Sequence, residues 1–354
     1  MRTRLMVIAA VVALFSGTPV HAQTKATAEN VPIIPHRSVP NFFKLPADLY
    51  FGEGIGIATN SKGNVFVFHR SGDTRLFEFD SNGNFLKEWG VGVYGLEFAH
   101  QVRVDRDDNV WIVDEGTNMV MKFNPQGRVV MVLGRRPEPV AGAVQTNTPD
   151  GPVLNQKYRF GRPTDVTWDA QGNIFISDGY VNSRAVKYDK NGRFIVQYAG
   201  ERGPGANQLN TPHSITSDAA GNIYVADRGN ARIVVLNNDM TLKTTYNNVG
   251  NPWTVCISPG PHQYLFSSNS NPDSNTPASS WDITGEIYKM ELDGTIIGKF
   301  GKAGKGLGEF STVHEIDCRN PDQLFVSEIS AWRAQKIILT PSKIQPASTS
   351  SVVR

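Results

Sequence analysis

Three histidines recur at the same position in alternate copies of an internal repeat. In four copies an Asn, and in the last copy a Gln, stands where the second apolar run begins, and His100, His213 and His314 lie nine residues before this marker. The markers that follow them are Asn109, Asn222 and Gln323. Three histidines with a free fourth position form the ligand set of many catalytic zinc sites. The three residues are therefore candidate zinc ligands.

The intervening copies have no histidine at this position. Counting back nine residues from the marker reaches Ile55 in the first copy and Thr164 in the third, while the fifth offers Trp253 or Thr254, depending on where its gap falls. A single buried histidine is more often a hydrogen-bonded core residue than a ligand. In a closed ring of six copies, however, histidines in the second, fourth and sixth would lie roughly 120° apart around the axis. The alternation thus favours three imidazoles that point at one site.

The repeats themselves predict the fold that would position these residues. Six copies recur with a period of about forty residues, which is typical of propeller blades. The first five contain four short runs rich in Val, Ile, Phe and Tyr between Gly, Asn and Asp turns, and no long stretch has a helical apolar period. We therefore predict an all-β protein, a six-bladed β-propeller of NHL-type repeats that spans residues 42–340 as one domain.

The last copy has only three apolar runs. Residues 42–45, just before the first blade, resemble the outer run of that blade at Phe85–Trp89. An N-terminal strand at residues 42–45 is therefore expected to complete the last blade and close the ring.

The ends of the chain and its composition bear on location and partners. Arg2 and Arg4 precede a short apolar run and a small-residue cleavage motif, so residues 1–22 are predicted to be a signal peptide and the protein to be periplasmic or secreted. Residues 23–41 form a leader and residues 341–354 a Ser-rich disordered tail in this prediction. With a net charge of +2, no basic run and no second apolar segment, we expect a monomer without nucleic-acid partner or membrane span.

The two cysteines allow two interpretations. Cys256 and Cys318 lie near the first strand of neighbouring repeats, one residue out of register. In an oxidising compartment they could form a disulfide, which requires Cα atoms within about 7 Å. They could equally be two buried free thiols.

Polar residues that could take part in catalysis or binding also stand where the second strands end. Arg70 and Arg228 both follow the repeat marker by six residues, and two guanidiniums at one rim would suit a carboxylate-bearing ligand. Tyr180 follows in the equivalent turn of the third repeat. A tyrosine beside a metal and two cations would have a lowered pKa and could act as a base. The alternative is an exposed aromatic ring that covers the edge of a blade.

One residue before the position of Arg70 and Arg228, the repeats carry aspartates that we expect to be structural. Asp114, Asp178 and Asp227 follow the marker by five residues. Aspartates in turns commonly accept hydrogen bonds from backbone N–H groups, so these should hold the turn between the second and third strands.

Several of these segments together resemble one enzyme family. The resemblance to the peptidyl-α-hydroxyglycine α-amidating lyases covers nearly the whole chain after the signal peptide. It rests on Phe68-His-Arg70, Ala99-His100, Ser177-Asp-Gly-Tyr-Val-Asn-Ser-Arg184, Pro212-His-Ser214 with Ala226-Asp-Arg228, and Val313-His314. The resemblance implies zinc ligation by His100, His213 and His314. It further implies that Tyr180 is the catalytic base and that Arg70 and Arg228 handle the substrate.

The resemblance also implies a reaction and a second metal. The family cleaves the C–N bond of a peptidyl-α-hydroxyglycine to a peptide amide and glyoxylate, so a small peptide or acyl-α-hydroxyglycine is the expected substrate. The family's calcium ligand, an Asp after the last zinc-binding histidine, is replaced here by Glu315, and Val102 is the expected backbone ligand. Calcium is therefore a second cofactor expectation, since Glu also supplies oxygen ligands. The family's paired cysteines are absent, as Val181 shows.

Two other functions compete with a lyase. A calcium-dependent hydrolase of the lactonase type would place Glu, Asn and Asp around the axis, and the three histidines disfavour it. A non-catalytic exported NHL propeller that binds peptide or glycan remains a full alternative, because a fold does not determine a function.

Overall fold

The protein is a six-bladed β-propeller. The computed structural model describes residues 31–136, 156–270 and 285–340, in which 24 strands form six four-stranded antiparallel sheets. The innermost strand of each sheet packs against that of the next, and the last against the first, which closes the ring. The predicted fold is thus confirmed. The predicted signal peptide and C-terminal tail lie outside the described residues, and no helix within those ranges is long and apolar enough to cross a membrane.

The strands follow the repeats in order. Blade 1 comprises β2 (Glu53–Thr59), β3 (Val65–Arg70), β4 (Arg75–Phe79) and β5 (Phe85–Trp89). Blade 2 comprises β6 (Ala99–Val104), β7 (Val110–Asp114), β8 (Met119–Phe123) and β9 (Val129–Gly134). Blade 3 comprises β10 (Asp165–Trp168), β11 (Ile174–Asp178), β12 (Arg184–Tyr188) and β13 (Phe194–Ala199).

The second half of the ring repeats this order. Blade 4 comprises β14 (Pro212–Ser217), β15 (Ile223–Asp227), β16 (Arg232–Leu236) and β17 (Leu242–Tyr246), with a 3₁₀ turn at Arg228–Asn230. Blade 5 comprises β18 (Pro252–Ile257), β19 (Leu265–Asn269), β20 (Glu286–Met290) and β21 (Ile296–Phe300). Blade 6 comprises β22 (Val313–Asn320), β23 (Gln323–Glu328), β24 (Arg333–Leu339) and, as its outer strand, β1 (His36–Ser38).

The apolar core lies between blades rather than on the axis. Six clusters of buried apolar side chains each join two neighbouring blades. The second strands are therefore buried on both faces, as in β7 (VWIVD), whereas outer strands alternate, as in β9, where Val130 and Val132 are exposed. Because the cores lie between the blades, polar side chains can occupy the axis.

The ring closes through a different segment from the one we predicted. β1 pairs with β24, with His36 opposite Leu339 and Ser38 opposite Ile337. The prediction of residues 42–45 as the closing strand is wrong, although an N-terminal strand does close the ring. Phe42, Phe43 and Leu45 instead pack on the apolar cluster between blades 6 and 1. Their apolar pattern reflects that burial, whereas β1 pairs because it reaches the free edge of β24.

A disulfide joins two neighbouring blades. Cys256 of β18 and Cys318 of β22 are bonded, with Cα atoms 6.1 Å apart and a sequence separation of 62. Of the two interpretations left open by the sequence, the structure has the disulfide. It links the innermost strands of blades 5 and 6, next to the point where the ring closes.

The aspartates that recur five residues after the marker have the predicted structural role. Asp178 accepts hydrogen bonds from the Asn182 side chain (2.6 Å) and the Arg184 guanidinium (2.9 Å) across the turn between β11 and β12. It also accepts the Gly161 N–H (2.8 Å) from the connection that enters the blade. Asp114 and Asp227 likewise accept backbone N–H groups of their incoming connections. These aspartates therefore fix the loops of the face where the innermost strands begin.

Candidate metal centre and substrate pocket

The three predicted metal ligands each lie in an irregularity of an innermost strand. The register of β6 against β7 shifts between Ala99 and Gln101, on either side of His100. The same shift brackets His213 in β14 and His314 in β22. A β-bulge redirects the side chain of the extra residue and is common beside functional sites. The same register shift brackets Ile55 in β2, so the bulge belongs to the repeat, and the even-numbered blades place a histidine in it.

The histidines converge. Their candidate ligand nitrogens lie within 4.8 Å of one another, and all three side chains are buried. Burial lowers the pKa of His100 and His213 well below the ordinary value and that of His314 to about 3, with nearby arginines acting in the same direction. The imidazoles are therefore neutral at pH 7, the state in which histidine binds a metal.

The odd-numbered blades hold these rings in place. The Nδ1–H group of each histidine donates to the backbone carbonyl of the matching position in the following odd blade. The bonds run from His100 to Thr164 (2.6 Å), from His213 to Trp253 (2.7 Å) and from His314 to Ile55 (2.8 Å). A hydrogen bond at Nδ1 leaves the Nε2 lone pair for a cation, as in many histidine metal sites. Three convergent, neutral and oriented imidazoles thus fit a divalent cation with an open position.

Tyr180 completes this group. Its hydroxyl lies 3.1 Å from Nε2 of His100 and 3.1 Å from Nε2 of His213. The side chain is partly buried at the histidines, so the alternative of an exposed ring on a blade edge is wrong. Burial raises the pKa of the phenol, although Arg228 and Arg70 oppose it. The expected lowering of this pKa is therefore not supplied by the arginines alone, and a dication at the histidines would have to supply it.

The two predicted arginines lie in the same pocket but differ in their partners. Arg70 donates to Glu53 (2.7 Å) and to the Ala99 carbonyl (3.0 Å), and its guanidinium lies 3.7 Å from the centre of the Phe98 ring. Arg228 lies 4.2 Å from the centre of the Trp253 ring and 5.5 Å from that of Tyr180.

The Arg228 guanidinium makes no hydrogen bond or ion pair with any residue in the described ranges. Arg70 is therefore held mainly by acceptors, whereas Arg228 is held by aromatic rings and keeps its N–H groups for another partner.

Two further residues of the pocket were missed by sequence reasoning. Glu115 is buried, with one carboxylate oxygen 3.7 Å from Nε2 of His100 and 3.9 Å from Arg70. Its other oxygen accepts from Arg162, whose guanidinium also lies 4.6 Å from the centre of the Tyr180 ring. Glu115 follows the marker Asn109 by six residues, the slot of Arg70 and Arg228, so the repeat contained a signal for it. Arg162 lies in a connection outside the repeat register, so the repeat contained no signal for it.

The residues predicted to bind calcium lie one layer deeper along the axis. The Glu315 carboxylate lies 2.6 Å from the guanidinium of Arg103 and accepts from Thr254 (2.7 Å) and from the Gln101 side chain. The Val102 N–H donates to Gln101 (2.9 Å). One Glu315 oxygen accepts from Thr254 and Gln101, and the other, which makes no hydrogen bond within the described residues, forms an ion pair with Arg103. This arrangement does not fit a calcium ion while Arg103 is in place.

Comparison with known sequences agrees with the resemblance. A model of the NHL repeat matches residues 209–236, the first three strands of blade 4. The chain is 26% identical over 341 residues to mouse peptidyl-glycine alpha-amidating monooxygenase, with 86% of this chain and 32% of the mouse protein covered. It is 26% identical over 318 residues to a probable peptidyl-α-hydroxyglycine α-amidating lyase of Caenorhabditis elegans, with 81% and 83% covered. It is 28% identical over 314 residues to mouse NHL repeat-containing protein 3, with 82% and 81% covered.

Known structures share the propeller fold. Virginiamycin B lyase from Staphylococcus aureus superposes with a TM-score of 0.54 at 14% identity, over 82% of this chain and 98% of that one. A gluconolactonase from Xanthomonas campestris gives a TM-score of 0.59 at 13% identity, over 91% and 99%. At such identities the likeness concerns the fold. The chain spans about a third (32%) of the mouse monooxygenase. It is a β-propeller with an NHL repeat in blade 4, and its sequence is similar to those of peptidyl-α-hydroxyglycine α-amidating lyases.

Proposed function

We propose that this protein is a zinc-dependent lyase that cleaves the C–N bond of a peptidyl-α-hydroxyglycine to give a peptide amide and glyoxylate. One observation carries the proposal. The Tyr180 hydroxyl lies 3.1 Å from the Nε2 atoms of two of three convergent histidines. A potential base thus stands beside a potential Lewis-acid site. The sequence similarity to proteins named as lyases of this type supports the same reaction.

The histidines would hold the metal and Tyr180 would move the proton. Zinc bound to His100, His213 and His314 would supply a Lewis acid that acidifies the α-hydroxyl of the substrate. Tyr180, as phenolate, takes the hydroxyl proton, and the oxygen electron pair forms the C=O bond of glyoxylate. The C–N bond breaks, its electrons remain on the amide nitrogen, and the nitrogen receives the proton back from Tyr180. No water or redox partner is consumed.

Arg228 is the better candidate of the two arginines for binding the substrate carboxylate. Its N–H groups are free of acceptors within the described ranges, and it lies against Tyr180 and Trp253. A guanidinium binds a carboxylate through two parallel hydrogen bonds. Arg70 already faces Glu53 and Glu115, so its part is to add positive charge at the edge of the pocket. This assigns the two substrate-handling residues different tasks.

We also propose that the protein is exported as a monomer and acts in the periplasm or outside the cell. The Cys256–Cys318 disulfide supports export, because such bonds persist in oxidising compartments. N-terminal sequencing of protein recovered from the periplasm and the medium tests export, with residue 23 expected as the new N-terminus. Light scattering of the purified chain tests the monomer.

The reaction is tested by glyoxylate release from an acyl-α-hydroxyglycine. Metal-free protein should be inactive, zinc should restore turnover, and Tyr180→Phe should keep zinc and lose turnover. A zinc-loaded wild type that releases no glyoxylate from acyl or peptidyl substrates would contradict the lyase. The exported NHL propeller that binds peptide or glycan would then take its place, and binding of peptide amides and glycans to the same protein distinguishes those two ligands.

A further inference from the structure

A buried charge cluster lies on the axis, one residue layer beyond the histidines. Arg103 of β6 donates to both oxygens of Asp165 (3.0 and 2.6 Å) and lies 2.6 Å from Glu315. It also donates to the Ser214 hydroxyl (3.3 Å) and the Val255 carbonyl (3.4 Å). We call these five residues the axial cluster. They come from the innermost strands of blades 2 to 6, so a single side chain links five of the six blades.

The charges of the axial cluster require a cation at its centre. The side chains of Asp165 and Glu315 are fully buried, and that of Arg103 is 13% exposed. Two buried carboxylates beside each other would be strongly unfavourable without a neighbouring positive charge. Arginine is always protonated in proteins and offers a planar set of five donors. Its Nε and Nη2 atoms donate to Asp165, a hydroxyl and a carbonyl, and its Nη1 atom forms an ion pair with Glu315 Oε1, an oxygen that makes no hydrogen bond within the described residues.

This arrangement conflicts with the calcium ion expected from Glu315 and Val102. Calcium takes six to eight oxygen ligands at about 2.3–2.6 Å, which leaves no room for a guanidinium among the same oxygens. Arg103 already lies 2.6 Å from one Glu315 oxygen, and Thr254 donates to the other (2.7 Å). The chain has therefore placed a cationic side chain where a divalent ion would lie.

Three residues that Arg103 contacts lie next to residues that carry or orient the three axial histidines. Ser214 directly follows His213, and Glu315 directly follows His314. Asp165 directly follows Thr164, whose carbonyl orients the His100 ring. A displacement of the guanidinium would therefore be transmitted through one peptide unit to each of the three rings.

We propose that Arg103 is the protein's own axial cation, which replaces a structural divalent metal and positions the three histidines. The first half of this inference concerns stability and is independent of the reaction. The second half rests on the metal-binding part of the proposed function. If Arg103 replaces the metal, calcium does not raise the thermal stability of the wild type. Removal of the guanidinium leaves two carboxylates, a hydroxyl and a carbonyl around a space that calcium can fill.

The wild type tests the first half without any mutation. Protein stripped of metal and reloaded with zinc alone should show the same Tm with and without 2 mM CaCl₂, within about 1 °C. A rise of about 5 °C or more on addition of calcium, not reproduced by magnesium, would overturn the replacement of the metal by Arg103.

Arg103→Ala, Arg103→Lys and the control Arg106→Ala test both halves. Arg106 lies three residues further along the chain and makes an exposed contact with the Ala170 carbonyl (2.9 Å), so its loss should change little. Arg103→Ala should lower Tm by about 10 °C, and calcium should recover a substantial part of this loss. Arg103→Lys keeps one charge and should lie between the two. If Arg103→Ala does not fold, the lysine variant and the wild-type calcium titration still test whether Arg103 replaces the metal.

The positioning role has its own readout, which does not depend on turnover. Co²⁺ bound at the histidines gives a visible spectrum that is sensitive to ligand geometry. We expect Arg103→Ala to change this spectrum and to weaken metal binding by about 10-fold or more, as for other residues that orient ligands. An unchanged spectrum and affinity, with a Tm that calcium does not restore, would reduce Arg103 to an ordinary buried ion pair. Because no glyoxylate is measured, failure here is distinct from failure of the lyase proposal.

Discussion

The even-numbered and odd-numbered blades use the same position of their innermost strands for different purposes. The even blades place a histidine side chain there, and the odd blades place a backbone carbonyl that accepts from the neighbouring histidine. The odd positions are Ile55, Thr164 and Trp253, which share no side-chain chemistry. A carbonyl is present in every residue, so these positions can vary while the rings stay oriented. The repeat thus supplies geometry, and individual blades add the chemistry.

The end of the second strand also carries different residue types at the same position of different blades. The slot six residues after the marker holds Arg70 in blade 1, Glu115 in blade 2 and Arg228 in blade 4. In blade 3 the slot holds Gly179, and Tyr180 follows it. All of these positions face one pocket, because the loops that carry them lie on the face where the innermost strands begin. Equivalent positions in a ring therefore assemble a mixed set of charges beside the three histidines.

The largest effect should come from replacing an even-blade histidine. His213→Ala removes one of three ligands, so bound zinc should be lost and glyoxylate release should fall by about 10³-fold or more. Metal content by mass spectrometry and turnover at saturating substrate measure both. Ile55→Val, at the matching odd position, keeps its carbonyl and should retain zinc. Equal zinc loss in the two variants would break the distinction between the blades.

Tyr180→Phe should separate metal binding from proton transfer. The ring keeps its contacts with His100 and His213 but has no group to accept the hydroxyl proton. Zinc content should equal that of the wild type, while kcat falls by about 10²-fold or more. Glyoxylate release at the wild-type rate would exclude Tyr180 as the base.

His69 sharpens the comparison, because it is a buried histidine of an odd blade that does not reach the axis. Its Nδ1 accepts the Gly52 N–H (3.2 Å), and burial lowers its pKa to about 4. The unfolded chain binds a proton below its ordinary pKa of about 6.5, whereas the folded protein resists protonation until about 4. The contribution of the neutral His69 side chain to the free energy of unfolding is therefore present above pH 6.5 and is lost as the pH falls.

From pH 7 to pH 5 this residue should reduce the free energy of unfolding by about 2 kcal/mol. The variant His69→Asn keeps an acceptor and does not titrate, so its urea denaturation should be less sensitive to pH by that amount. Parallel pH profiles for the two proteins would show that His69 is not held neutral.

The two arginines should differ by a smaller margin. Arg228→Ala should raise KM for acyl-α-hydroxyglycine by about 10-fold, since it loses a charge-assisted pair with the carboxylate. Substrates whose carboxylate is converted to a neutral amide should be affected little. Arg70→Ala should act less selectively and also lower Tm, because it leaves Glu53 without its partner and removes one of the two cations beside Glu115. The same KM change for charged and neutral substrates would contradict the assignment of Arg228.

The repeat register in the sequence was sufficient to predict six blades, their strands other than the closing one, and the three convergent histidines. Each of these follows from a local pattern of apolar runs and turns that recurs in every blade. The same register could also have revealed Glu115, which occupies the slot of Arg70 and Arg228.

Tertiary structure alone decided the closing strand at His36–Ser38, the Cys256–Cys318 bond, the role of Arg162 and the axial position of Arg103. These features depend on which side chains meet across blades that are distant in sequence. The period of a sequence shows which face of a strand is buried, but not which charge it meets there. Because a buried carboxylate must find a cation somewhere, the balance of charge on the axis is a property of the closed ring rather than of any one repeat.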